Sequence, residues 1–279
     1  MNQAAIKASL SVASTQKRLL LACLCLLLLG ILQGCASPLP ASTLAGDVVT
    51  DSDEPLARKR AKIRLELATG YYANGQTTIA LDELKQSINA DPSLPDAHNL
   101  RGLVYMRLND FALAEESFRR ALQLSPQSAS IQHNLGWLHC QQNRFSESSA
   151  QFMSAIAIPG NPDRAKSWMA MGVCQMKAGA SADALVSLSR ATELDPENPV
   201  AGYNLALLLL QRGELAKAQS QVRRINNGAY ANAESLWLGI KIENQLGNKE
   251  ATTQLGGQLK KRFASSKEAA LWERGALNE

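Results

Sequence analysis

From Arg58 to the end of the chain, apolar residues return at the spacing of one helix face, and no stretch alternates as a strand would. The helices this predicts come in pairs of nearly fixed length. Six times a small residue is followed twelve positions later by another: Ala68/Ala80, Gly102/Ala114, Gly136/Ser148, Gly172/Ala184, Ala206/Ala218 and Gly239/Ala251. The unit recurs at spacings of 34, 34, 36, 34 and 33. Four residues after the second small position stands a bulky apolar side chain, as Leu84, Phe118, Phe152, Leu188, Val222 and Leu255. Thin spots on both helices and one thick side chain between them are what a close-packed helical hairpin needs. Three residues after the first small position, Tyr71, Tyr105, Leu209 and Ile242 extend the pattern, while His139 and Gln175 break it. Pro92, Pro126 and Pro196 fall where a second helix must stop.

This pattern resembles the tetratricopeptide repeat, followed loosely in six copies from about residue 61 to 262. Trp168-Met169-Ala170-Met171-Gly172 and Asn134-Leu135-Gly136 are its best local matches. The expected fold is all-α, a tetratricopeptide-repeat superhelix (α-solenoid) of six helical hairpins over residues 58–265. A C-terminal capping helix and tail are expected over 266–279, with Leu271 and Trp272 covering the open face of the sixth repeat. Two extra residues between repeats three and four, within Ile158-Pro159-Gly160-Asn161-Pro162, should loosen that one turn.

The first 35 residues follow a different logic. Lys7, Lys17 and Arg18 precede an apolar run from Leu19 to Leu32, and no acid occurs before Asp47. The run is short for a membrane span and fits a secretory signal. It ends in Leu32-Gln33-Gly34-Cys35, which resembles a bacterial lipobox. By that resemblance residues 1–34 are a lipoprotein signal peptide and Cys35 is the lipidated first residue, the alternative being an ordinary cleaved signal or an uncleaved anchor. Ala36, in place of an aspartate, is the second residue that permits export to the outer membrane in Gram-negative lipoproteins. Residues 35–57, rich in Pro38, Pro40, Asp47, Asp51, Asp53 and Pro55, read as a lipidated terminus and flexible tether.

Removing the signal changes the composition that matters. Three of the 29 Lys+Arg leave and none of the 25 Asp+Glu, so 26 cations face 25 anions and the net charge falls from +4 to near +1. A near-neutral chain without clustered basic and stacking residues offers no footprint for nucleic acid. Of five cysteines, Cys140 and Cys174 remain as thiols. They are read as two small buried thiols in preference to a bridge, because a bridge needs Cα atoms within about 7 Å and spacing alone does not establish that.

Candidate chemistry is sparse. His98, His133 and His139 have no carboxylate or cysteine at metal-ligand spacing, and no H-E-x-x-H, G-x-S-x-G, phosphate loop or dinucleotide fingerprint occurs. The reading is a protein without enzymatic activity, cofactor, bound metal or small-molecule substrate. What a stack of hairpins does offer is the inner face of its first helices. Repeat register assigns to that face Tyr72, Asn99, Leu103, Met106, Arg107, His133, Trp137, Met169, Val173, Met176, Tyr203 and Leu207. So apolar a stripe marks a partner site if it is exposed; the alternative is that tight winding buries it. Arg107 and Lys177 are isolated cations there, too few for a carboxylate clamp.

The resemblance sharpens over residues 58–265. The opening Ala61-Lys62-Ile63-Arg64-Leu65-Glu66-Leu67-Ala68-Thr69-Gly70-Tyr71-Tyr72, the segment Ala231-Asn232-Ala233-Glu234-Ser235-Leu236-Trp237-Leu238-Gly239-Ile240-Lys241 and Gly257-Gln258-Leu259-Lys260-Lys261-Arg262-Phe263 resemble the type IV pilus biogenesis and stability lipoproteins, the pilotins of the PilF/PilW family. The lengthened turn after repeat three sits where theirs does. The resemblance implies an outer-membrane lipoprotein, on the periplasmic face, that binds subunits of the pilus secretin and promotes their localisation and multimerisation. It implies no cofactor beyond the acyl and diacylglycerol groups expected on Cys35. A repeat adaptor lipoprotein organising peptidoglycan enzymes is the alternative function.

Overall fold

The computed structural model describes residues 54–277. The expected signal peptide, Cys35, Ala36 and all but the last residues of the expected tether lie outside them. Among the described residues there are thirteen helices and no strand. Twelve form hairpins: α1 (Leu56–Ala73) with α2 (Thr77–Ala90), α3 (Pro95–Arg107) with α4 (Phe111–Leu124), α5 (Ala129–Gln141) with α6 (Phe145–Ala157), α7 (Arg164–Lys177) with α8 (Ser181–Leu194), α9 (Pro199–Gln211) with α10 (Leu215–Asn226), and α11 (Ala233–Gln245) with α12 (Lys249–Arg262). A short α13 (Lys267–Glu273) closes the stack. The first helix begins at Leu56, inside the segment expected to be tether.

Each first helix ends the same way. Gly75, Asn109, Asn143, Gly179, Gly213 and Gly247 all have positive φ, between 61° and 76°. At each, the next residue's N–H reaches back five positions, as Gln76 to Tyr71, Asp110 to Tyr105, Arg144 to His139, Ala180 to Gln175, Glu214 to Leu209 and Asn248 to Glu243, all at 2.9 Å. This is the Schellman closure, which needs a residue tolerant of the left-handed region. Second helices open on side-chain caps where the sequence provides them: Asp110 accepts from the Leu113 N–H at 3.1 Å and Asn248 from the Ala251 N–H at 3.2 Å.

The thin and thick positions meet as expected in repeats two to four. A Cβ on Gly102 would lie 2.5 Å from the Phe118 ring, one on Gly136 3.1 Å from Phe152, and one on Gly172 2.6 Å from Leu188. Where the thin position is alanine, at Ala68 and Ala206, the partner is the non-aromatic Leu84 or Val222.

Repeat six keeps the expected approach of Gly239 to Leu255, a Cβ on Gly239 lying 3.2 Å from that side chain, but its turn and helix boundaries run one residue later than those two columns. Its left-handed Gly247 and the start of α12 keep the 34-residue spacing, so Ile240, Thr252 and Gly256 occupy the places expected of Gly239, Ala251 and Leu255. Ile240 and Thr252 are buried, whereas Ala251 is not. The missing thick side chain at Gly256 is supplied from outside the hairpin. Trp272 of α13 lies so close to Gly256 that a Cβ there would collide with its indole. Leu271 and Trp272 pack with Leu236, Trp237, Ile240 and Leu259. Thus α13 completes the core of repeat six as well as covering it.

First helices touch the first helices of neighbouring repeats along the whole stack, while no second helix touches another second helix among the described residues. The row of first helices is therefore the shorter, inner side of the array. The two extra residues before α7 are taken up in a loop, where Gly160 has φ 72° and Asn161 Nδ2 donates to the Ala155 carbonyl at 2.8 Å.

Candidate protein-binding groove

The inner row is tied together by bonds between successive first helices. Arg107 donates to the Tyr72 carbonyl at 2.6 Å and holds its guanidinium 3.7 Å from that ring's centroid, joining α3 to α1. Asn134 Nδ2 donates to Asn99 Oδ1 at 3.0 Å, joining α5 to α3. His133 Nδ1 meets Ser167 Oγ at 3.0 Å, and Lys177 donates to the Cys140 carbonyl at 3.3 Å, both joining α7 to α5. The two cations assigned to the groove are thereby committed to neighbouring repeats.

Cys140 and Cys174 form a disulfide between α5 and α7, with Cα atoms 5.8 Å apart. The reading as separate buried thiols is thus corrected. Cys140 stands four residues after its thin position and Cys174 two after its own, a difference of about 200° around a helix. Adjacent parallel helices face each other with opposite sides, so that half-turn offset is what lets the sulfurs meet. The offset is readable in the sequence once the repeats are superposed.

Of the twelve groove residues, Arg107 is exposed and the other eleven are half-buried; none is fully buried. The structure groups them in short runs. Tyr72 and Leu103 pack over the core shared by repeats one and two, and Leu103 and Met106 over that of repeats two and three. Trp137 lies against the disulfide cluster with Phe152 and Met171. Met176, Tyr203 and Leu207 pack over repeats four and five. Met169 and Val173 stand on α7, and Asn99 and His133 take part in the inter-helix bonds above.

Burial disfavours the charged form of all three histidines. Burial against the edge of Phe152 lowers the His133 pKa to about 4, with Lys166 adding to the effect and Asp163 opposing it. Burial also lowers His98 and His139. His98 spends Nε2 on the Pro92 carbonyl at 2.9 Å. No group of three or more His, Cys, Asp or Glu among the described residues could hold a metal ion, and no described helix is long and apolar enough to cross a membrane.

Sequence reasoning missed the C-terminal end of the groove. There α9, α11 and α13 line an open hollow of about 280 Å³ bordered by Tyr203, Leu207, Trp237, Lys241, Glu268 and Leu271, among others. Reading α13 only as a cover hid it.

Comparison with known proteins fits this geometry. Models of the tetratricopeptide repeat match residues 65–129, 128–158 and 175–236. The type IV pilus assembly protein PilF of Pseudomonas aeruginosa is 26% identical over 230 residues, which is 81% of this chain and 91% of that protein. The crystal structure of PilW, described as a widely conserved type IV pilus biogenesis factor, superposes with a TM-score of 0.66 at 31% identity, covering 75% of this chain and 96% of PilW. A solved structure of Pseudomonas aeruginosa PilF shares the fold, with a TM-score of 0.70 at 24% identity over 78% of this chain and 99% of that one.

Proposed function

This chain belongs to the PilF/PilW family of type IV pilus biogenesis proteins built from tetratricopeptide repeats, and on that premise we propose that it is a pilotin, an outer-membrane lipoprotein that holds subunits of the pilus secretin while they are delivered and multimerise. Its work is done by protein-protein contact. The observation that carries the reading is the inner row itself. Leu103, Met106, Trp137, Met169, Val173 and Met176 all keep part of their surface open on the adjacent first helices α3, α5 and α7. Aromatic and methionine side chains left half-open on a rigid frame suit an irregular protein partner.

The remaining parts of the reading concern the N-terminal residues. Acyl and diacylglycerol groups on Cys35 anchor the chain, Ala36 lets it pass to the outer membrane, and the proline- and aspartate-rich segment up to residue 55 sets its reach. At about 5.5 Å times the square root of length, some twenty such residues span roughly 25 Å. The array then works on the periplasmic face, at the end of that reach.

Replacing Cys35 with alanine separates anchor from array. The variant should fold with an unchanged melting temperature while heat-resistant secretin multimers disappear from outer-membrane fractions. Normal amounts of multimer in that fraction would remove the lipid from the account.

A further inference from the structure

The first helix carries in the open a stripe that later first helices bury. By repeat spacing, Ile63 and Gly70 of α1 correspond to Ala97 and Val104 of α3 and to Ile131 and Leu138 of α5. Those four are buried, the first pair in a cluster with Leu84 of the hairpin before it and the second pair with Phe118 of the hairpin before it. No hairpin precedes α1 among the described residues, and there Leu56 is 76% exposed, Ile63 58% and Leu67 43%. At about 100° per residue these three and Gly70 fall within roughly 60° of arc. The far end of the stack is closed by α13, and end faces of such arrays are ordinarily polar. An apolar end face of this kind marks a contact.

Charge says what the contact is with. Between Leu56 and Leu65 the helix holds five cations, Arg58, Lys59, Arg60, Lys62 and Arg64, and no acid; Glu66 is its single carboxylate. Arg58 reaches Asp91 at 3.4 Å and Arg64 reaches Glu83 at 2.8 Å, so those two are turned back to the second helix and its end. Lys59 and Arg60 border the apolar stripe on either side, since they stand next to it around the helix. A second copy docked symmetrically on this face would set like charges against each other. A surface of phosphates would not.

We propose that α1 lies along an anionic phospholipid surface, with its apolar stripe at the level of the headgroups and Lys59 and Arg60 against lipid phosphates. An apolar face bordered by lysine and arginine is the pattern of a helix that lies in a membrane interface, where the cations keep their heads in water and their stems on lipid. No such helix has to cross the membrane, and α1 is not long and apolar enough to do so. The inference rests on the reading of Cys35 as acylated for its nearness to lipid: Cys35 stands twenty residues before Pro55, a reach of roughly 25 Å. An array seated by its first helix leaves the inner row of α3, α5 and α7 open to a partner.

A photoreactive phenylalanine analogue at Ile63 or at Leu67 tests this on the full-length protein purified from membranes and set in lipid nanodiscs. The discs contain either phosphatidylethanolamine with one-quarter phosphatidylglycerol or phosphatidylcholine alone. In the anionic discs, phospholipid adducts read by mass should form at about five times the yield from the exposed Met153 and Val186, and fall about threefold in phosphatidylcholine or with Lys59→Gln and Arg60→Gln together. The same positions should give lipid adducts in intact cells. Adducts to a second copy or to another protein in place of lipid, yields no higher than from Met153 and Val186, or yields indifferent to lipid charge would overturn the proposal. Loss of secretin multimers with Cys35→Ala but no lipid adducts from α1 would sink this inference and leave the pilotin reading standing. A mature chain whose mass lacks acyl groups would remove the anchor alone, and adducts formed with added vesicles of the same two compositions would then decide the role of α1.

Discussion

Replacing Trp272 with alanine should loosen repeat six from a distance, because the indole fills the space that a second-helix side chain fills in every other repeat. Truncating a fully buried tryptophan costs about 3–5 kcal/mol; Trp272 is half-buried, so about 2–3 kcal/mol is expected. The reverse change, Gly256→Leu, puts a side chain into the same space. Alone it should cost about 1–3 kcal/mol by overpacking, offset by about 1 kcal/mol from better helix propensity. Combined with Trp272→Ala, the leucine restores the arrangement seen at Leu84 and Leu188. The double variant should therefore recover at least about 2 kcal/mol relative to the sum of the single effects, a coupling well above the scatter of independent sites. Urea denaturation followed by far-ultraviolet circular dichroism measures it, with hydrogen exchange over α11 and α12 reporting whether the loss is confined to the last repeat. Additive effects, or exchange that quickens evenly along the array, would refute the placing of Trp272 in the repeat-six core.

Other consequences can be checked on the same material. Gly102→Ala should destabilise the array by about 1–2 kcal/mol despite the helix-favouring change, and Phe118→Leu in that background should rescue part of it by making room. Breaking the Cys140–Cys174 bridge, which closes a loop of 34 residues, should lower stability by about 2–4 kcal/mol, seen as a fall in the denaturation midpoint of Cys140→Ser with Cys174→Ser. His133 has a folded pKa of about 4 against 6.5 unfolded, so the unfolded chain binds more protons between those values and stability falls as pH drops through that window. Between pH 7 and pH 5 the loss from this group should be about 2 kcal/mol, and His133→Asn should flatten that part of the profile; an unchanged slope would place the acid sensitivity elsewhere.

The hairpins were legible in the sequence because their packing demands are local and repeated: a thin residue, a second one twelve later, a thick one four after that. The turns are equally legible, each marked by a residue that tolerates positive φ. Gly75, Asn109, Asn143, Gly179, Gly213 and Gly247 mark every first-helix end, and their even spacing exposes the one-residue offset between the repeat-six turn and the Gly239, Ala251 and Leu255 columns. The columns alone hide that offset because Gly256 has no side chain to announce its role, and its complement, Trp272, comes from another helix. The disulfide was missed because register was used to align equivalent faces, whereas a bond between neighbouring helices joins opposite ones. The groove residues fell on the first helices where register put them. Their partial exposure depends on the curvature of the stack, which no single repeat encodes. Register puts Arg107 on the inner face, but its bond to the Tyr72 carbonyl belongs to the neighbouring repeat and has no local sign.

The central claim is that the inner row grips the secretin. A photoreactive phenylalanine analogue placed in turn at Leu103 and Met169 on first helices, and at Met153 and Val186 on exposed positions of α6 and α8, tests it in intact cells. The account predicts secretin cross-links from Leu103 and Met169 and none from Met153 or Val186. Cross-links from the outer positions alone, or to proteins other than the secretin from the inner ones, would contradict it.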